Sequence, residues 1–307
     1  MLLKEQNFGV EIELTGITRC EAARIIAKYF GKQHRLKGGY YDVWEAPDKK
    51  GRIWKAMYDG SIFTQKKVNG TKVRASSKYS CEVVTPILQY DDMDDLQEII
   101  RLLAKKGAFA NPSTGVHVHV DGAKHNMDSL QRVLNFAVGR QELFYEALGI
   151  SEDRKSRWCK CIDKKLFTEI KKCVKTKSAV ERIWYSSAND NYAGGIDHGH
   201  YNSTRYHGVN LHAFFSKGTV EFRLFNGTTH AGKIKAYVQF CLAISAWAIE
   251  TENINLHFKP CTNYSKAQKK ALMLRVLKGR LGMTGKEFKT ARLHLTAAFD
   301  EIAEEVA

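Results

Sequence analysis

The sequence predicts an α+β domain built around a largely antiparallel sheet. Three observations point there: short segments alternate apolar and polar residues, amphipathic segments of helical period interleave with them, and many strand-to-strand links are too short for a parallel crossover. The first alternating segment is Phe8-Gly9-Val10-Glu11-Ile12-Glu13-Leu14. Residues 17–31 follow with helical spacing, Ile17, Ala22, Ile25, Ile26 and Tyr29 sharing one side and Gly31 supplying a stop. Short strands are expected near 40–45, 52–57 and 78–85, separated by Gly, Asp and Lys loops. A helix over 91–106 carries Met93, Leu96, Ile99, Ile100 and Leu103 and ends at Gly107. Residues 116–120 read as a further strand, 128–149 as a second strong helix, and 162–185 as one or two more. A loop rich in Gly, Asn and His at 186–204 interrupts the pattern. Strands near 206–214 and 218–225 come next, then a mostly apolar helix over 232–250. After Pro260 the chain becomes a Lys-rich helical tail with few β-branched residues.

Composition bounds the function classes. Of 307 residues, 44% are hydrophobic, 26% charged and 11% aromatic, with only 4 Pro, which sets aside a disordered or low-complexity chain. No apolar run reaches the roughly 18–20 residues that span a bilayer. The opening Met1-Leu2-Leu3-Lys4-Glu5-Gln6 lacks the cationic start and apolar core of a secretory leader. Seven Cys, an odd number, then reads as reduced thiols, and the cytoplasm is the expected location. The unusual total is charge. Lys plus Arg number 48 against 33 Asp plus Glu, a net +15 that attracts nucleic acid, nucleotides or phosphorylated substrates. Basic stretches at 32–37, 164–177 and 266–280 are mostly Lys, with no Arg-rich arm, so a solvated cationic surface and a nucleic-acid partner both fit.

Four segments place polar pairs on one strand face, because residues i and i+2 point the same way. Glu11 and Glu13 do so, with Val10, Ile12 and Leu14 on the other side. His117 and His119 repeat the pattern between Val116, Val118 and Val120, Asn210 and His212 beside Val209 and Leu211, and Glu221 and Arg223 beside Val220, Phe222 and Leu224. A merely wet sheet face is usually filled with Lys, Thr, Ser and Gln; Glu, His, Asn and Arg are the types that bind metal and phosphate. Converging carboxylates repel one another unless a cation lies between them. Carboxylates with some imidazole suit Mg²⁺ or Mn²⁺, and Arg223 is placed to clamp an anion. Residue chemistry alone therefore points to a divalent-metal, nucleotide-phosphate site.

Some signals mislead. The stretch from Gly227 to Ile234 nearly fits a phosphate-binding loop, but Ile234 stands where a Ser or Thr must reach the metal. Cys159, Cys161 and Cys173 lack a fourth ligand at knuckle spacing. Trp158 and Trp184 fit helix core better than a base-stacking platform.

Phe8-Gly9-Val10-Glu11-Ile12-Glu13, Tyr58-Asp59-Gly60-Ser61, Glu82-Val83-Val84-Thr85-Pro86, Gly115-Val116-His117-Val118-His119-Val120 and Val220-Glu221-Phe222-Arg223 occur in this order. The set resembles the amidoligase family, relatives of glutamine synthetase and γ-glutamylcysteine ligase, over roughly residues 7–250. The resemblance implies a curved, mainly antiparallel sheet with helices on its convex side, the glutamine synthetase-like catalytic fold. It implies a catalytic domain over 1–255 with a helical insertion at about 126–190, leaving 256–307 as a basic helical extension. The implied activity is an ATP- and Mg²⁺-dependent ligase that phosphorylates a carboxylate and lets an amine displace the phosphate to form an amide. Carried over by motif, Glu11, Glu13, Glu82 and Glu221 are metal ligands, and His117 and His119 contact metal or nucleotide. Arg223 and Arg205 meet the phosphates with Asn210 alongside, Glu221 joins Arg223 in catalysis, and Asp59 and Ser61 lie at the substrate end. The loop at 186–204, with Gly194, Gly195, His198 and His200, is the expected lid.

Three other readings fit the same residues. One has the ligase acting on a nucleic-acid-linked acceptor, such as a modified base, a reading motivated by the +15 charge. Plain phosphotransfer is a second, since the broad fold group includes guanidino kinases. A non-catalytic binding protein is the third, opposed by the retained Glu11, Glu13, Glu82, Glu221 and Arg223.

Overall fold

The first alternating segment forms β1 (Phe8–Leu14), with Val10, Ile12 and Leu14 buried as its apolar side demands. This is a computed structural model that describes residues 2–173, 175–186, 196–252 and 261–300. Its contacts divide the chain into two compact units. One comprises Leu3–Val120 with Phe225–Val238, and the other Asp121–Leu224 with the described residues from Gln239 on.

In the first unit, α1 (Arg19–Tyr29) begins where the Thr18 side chain accepts from the Glu21 N–H, and it stops at Gly31, which takes the left-handed φ of 67°. Strands β2 (Arg35–Gly38), β3 (Val43–Pro47) and β4 (Ile53–Met57) follow. A separate hairpin pairs β5 (Gln65–Val68) with β6 (Thr71–Arg74). Then come β7 (Cys81–Val84), α2 (Met93–Lys105) and β8 (Gly115–Asp121). Six strands are ordered β2-β3-β4-β7-β1-β8, each pair antiparallel, so β1 lies between β7 and β8. Helix α1 packs against β3, β4 and β7, where Phe30 meets the buried Trp54 ring at 6.0 Å. The expected α+β class and largely antiparallel sheet are what the chain forms.

In the second unit, α3 (Met127–Val138), α4 (Gln141–Ala147), α5 (Glu152–Arg157), α6 (Lys164–Lys172) and α7 (Lys177–Ser186) precede β9 (Val209–Asn210) and α8 (His212–Lys217). After them come β10 (Thr219–Asn226) and α9 (Ala231–Glu250), of which Phe225–Val238 belongs to the first unit, then α10 (Lys266–Arg275) and α11 (Lys289–His294), with one π-helical turn at Val276–Arg280. Phe136, Phe144, Phe240 and Trp247 interlock with ring centroids 4.8–5.8 Å apart. Among the described residues no helix is long and apolar enough to cross a membrane. All seven cysteines are free thiols, and burial pushes that of Cys159 up to about 11.

Two expectations need correction. The helix expected over 128–149 is two helices, since Gly139 ends α3 and Arg140 starts α4 in a non-helical conformation. The strand expected near 206–214 is reduced to two residues. Asn210 Oδ1 accepts the His212 N–H at 2.8 Å, turning the chain into α8, so Asn210 and His212 do not share a strand face.

Candidate active site

In the first unit, antiparallel register converts sequence-distant acids into neighbours. Glu13 on β1 stands opposite Glu82 on β7, and Glu11 opposite His117 on β8. Glu13, Glu82, His117 and His119 are all buried, His117 with only 3% of its surface exposed. Glu13 Oε2 accepts the Gly115 N–H at 2.5 Å, while its Oε1 lies 3.7 Å from His117 Nε2. His117 Nδ1 lies 3.1 Å from Glu11 Oε2, and His119 Nε2 3.2 Å from Glu11 Oε1. Burial opposes the charge on Glu11, yet the His119 and His117 imidazoles hold its carboxyl well below the usual range.

A carboxylate only accepts, so His117 donates its Nδ1–H to Glu11, and its Nε2 faces Glu13. This is how an outer carboxylate orients a metal-ligating histidine. Glu13, Glu82 and His117 each offer one ligand atom, all within 4.8 Å of one another. Two buried carboxylates with one imidazole fit a hard divalent cation, which would relieve their mutual repulsion.

The Asp59–Ser61 motif is a closed turn. Asp59 Oδ1 accepts from both the N–H and the hydroxyl of Ser61 at 2.6 Å, and Ser80 Oγ bridges the Asp59 N–H and carbonyl. Behind it lies Arg19, which sequence reasoning passed over. Its buried guanidinium donates to the Ser77 and Ser80 carbonyls and to Asp42. The signal was present: Arg19 sits three and seven residues before Ala22 and Ile26, on the apolar face of its helix.

In the second unit, Glu221 and Arg223 share the β10 face as expected, both buried, with Arg223 Nη1 donating to Glu221 Oε1 at 2.6 Å. Asn210 Nδ2 donates to the other Glu221 oxygen at 2.6 Å. Arg223 Nε lies 3.4 Å from the Trp158 carbonyl, and its guanidinium is 5.9 Å from the Tyr206 ring. Arg205 is in the turn Ser203–Arg205, donating to the His200 carbonyl at 2.6 Å. His212 Nδ1 meets the Tyr185 hydroxyl at 2.8 Å. Of the expected lid, Gly194 and Gly195 lie outside the described residues; His198 contacts Glu181 at 2.6 Å. Trp184 is fully buried core, and half-buried Trp158 meets Tyr206 edge-on.

The phosphate-loop lookalike is packed shut. Gly227 donates its N–H to the Thr114 carbonyl, and a Cβ there would collide with the Thr114 side chain, so backbone contact is what the glycine serves.

Residues 4–245 match the model of a family described as "Putative amidoligase enzyme". The chain belongs to this amidoligase family, as its five motifs suggested. No curated protein matches the chain. Among solved structures it is similar to a bifunctional glutathione synthetase from Pasteurella multocida, at 12% identity and a TM-score of 0.42. That alignment covers 97% of this chain and 48% of the synthetase, so the chain spans about half its length.

Proposed function

We propose that the protein is an ATP- and Mg²⁺- or Mn²⁺-dependent carboxylate–amine ligase acting through an acyl phosphate, on a glutamine synthetase-like curved sheet. The observation that carries this is the buried Glu13, Glu82 and His117 set within a family of amidoligases. A carboxylate resists attack by an amine because of its charge and resonance. Transfer of the γ-phosphoryl group to a carboxylate oxygen, with ADP leaving, supplies a leaving group. The amine nitrogen then bonds to the acyl carbon, and inorganic phosphate departs with the bonding electrons as the nitrogen loses a proton.

Glu13, Glu82 and His117 would hold the metal, with Glu11 orienting His117, and Glu221 and His119 completing the family's ligand and nucleotide contacts. When bound, the ion neutralises phosphate charge. In this reading Arg223, fixed in one pose by Glu221, meets the charge developing on the phosphoryl group, with Arg205 and Asn210 assisting. The closed Asp59–Ser61 turn presents the substrate end. Residues 1–255 are the catalytic domain, the helical stretch near 126–190 its insertion and 256–307 a basic extension, in the cytoplasm.

The test follows phosphate release from ATP with Mg²⁺ and pooled carboxylates and amines. Release that needs both pools and vanishes in Glu13→Gln is expected. Equal release by wild type and Glu13→Gln overturns the proposal.

A further inference from the structure

None of the residues assigned to the ligase site lies in the β5–β6 hairpin, and its chemistry is unusual. From Ser61 to Ser80 the chain holds Lys66, Lys67, Lys72, Arg74 and Lys78 and no acid. In the hairpin register Lys67 stands directly opposite Lys72, a like-charge pair that destabilises a ribbon with no sheet to share the cost. Among the described residues, Lys66, Lys67, Lys72 and Arg74 have no carboxylate partner. The Phe109 ring gathers the opposed pair, Lys72 Nζ lying 4.8 Å and Lys67 Nζ 5.7 Å from its centroid. Both lysines are exposed, so their stems cover the ring and their ammonium groups meet solvent.

The base of this ribbon is rigid. The Gln65 N–H donates to Thr15 Oγ1, and the Gln65 carbonyl accepts from the Thr15 hydroxyl and the Gly16 N–H, all at 2.8–2.9 Å. Beside it Phe63 is 53% exposed although its backbone is clamped, its N–H on Ser113 Oγ at 2.8 Å and its carbonyl on Asn111 Nδ2 at 2.7 Å. The Arg74 guanidinium is 6.0 Å from that ring. A fixed backbone holding an apolar ring in water, bordered by unneutralised cations, suits a ligand with both anionic charge and flat rings.

We propose that the β5–β6 hairpin and Phe63 form a docking site for single-stranded nucleic acid, phosphates lying along Lys67, Lys72 and Arg74, which share one face of the ribbon, and a base stacking on Phe63. An acidic peptide would satisfy the cations but leave Phe63 without a stacking partner. The binding stands apart from the ligase reading. Where both hold, Thr15 lies two residues beyond Glu13, about 7 Å along an extended strand, so a docked strand starts beside the acid cluster.

Fluorescence anisotropy of a labelled DNA strand about 20 nucleotides long, without ATP or metal, tests this between about 50 and 200 mM salt. Wild type is expected to bind with a steep salt dependence. The variant Lys67→Gln/Lys72→Gln/Arg74→Gln should lose at least about tenfold at low salt, its log–log slope falling by roughly 0.7 per cation removed. Lys164→Gln/Lys165→Gln/Lys171→Gln removes the same charge from α6 and should stay within about threefold. Phe63→Ala should weaken binding about tenfold at an unchanged slope. No binding at low salt, equal losses in the two charge variants, an unchanged Phe63→Ala, or equal affinity for duplex DNA or polyglutamate would each overturn the proposal. Thermal melts of all variants confirm that they fold.

Discussion

At the residue scale, Glu11 and Glu13 divide the work that strand alternation presents as shared. Both point to one face, but Glu13 stands with Glu82 and His117, while Glu11 bonds the far nitrogen of His117. If Glu13 is a ligand and Glu11 an orienting group, Mn²⁺ titration followed by electron paramagnetic resonance separates them. Glu13→Ala should abolish binding. Glu11→Ala should weaken it roughly 10–100-fold, and Glu11→Gln should recover most of that loss, because an amide oxygen still accepts the Nδ1 proton. A Glu11→Gln as defective as Glu11→Ala would make Glu11 a direct ligand. The alternation that exposed Glu11, Glu13, His117 and His119 was legible because a strand's period is local. That Glu13 faces Glu82 was not, since register joins segments far apart in the chain.

At the scale of elements, sequence patterning worked where one face is buried and failed where neither is. β1 and α2 were readable from their apolar stripes, whereas β2 and the hairpin are mostly exposed and offer no hydrophobic period. The hairpin still carried a sign. Asn69-Gly70 takes φ of 49° and 81°, the left-handed pair a two-residue turn requires. The short β9 shows the opposite limit, a side chain overriding a strand pattern. Asn210 is fully buried, ties Glu221 and starts α8, so Asn210→Ala should cost about 2–3 kcal/mol, read as a lower urea midpoint at constant slope. A loss below about 0.5 kcal/mol would show that the bond to Glu221 is not holding the element.

For the whole molecule, buried histidines set a direction for acid sensitivity. His125 is enclosed by the Ser129 and Ser245 hydroxyls at 3.0 and 2.8 Å, and burial, reinforced by Arg132, lowers its pKa to about 4. Burial also lowers His212 to about 4, with Arg205 adding to the shift. The unfolded chain binds these protons near pH 6.5 and the folded chain only near 4. Stability is therefore full above about pH 6.5 and drains as pH falls toward 4, by about 2–3 kcal/mol for His125. Urea midpoints at pH 7 and 5 should show the fall, and His125→Gln should flatten it. A midpoint that rises on acidification would contradict the assignment.

The placement of β1 between β7 and β8 also orders events in time. Glu11 and His117, in hydrogen-bond contact, are 106 residues apart, so the pocket's walls are among the most non-local contacts of their unit. Non-local pairing closes late and slowly, since a long loop loses its freedom before any contact rewards it. During synthesis β1 leaves the ribosome with neither flanking strand available, and its acids lack their second wall until residue 121 has emerged. Chemistry carried by these acids is thus withheld from any nascent chain that stops short of β8.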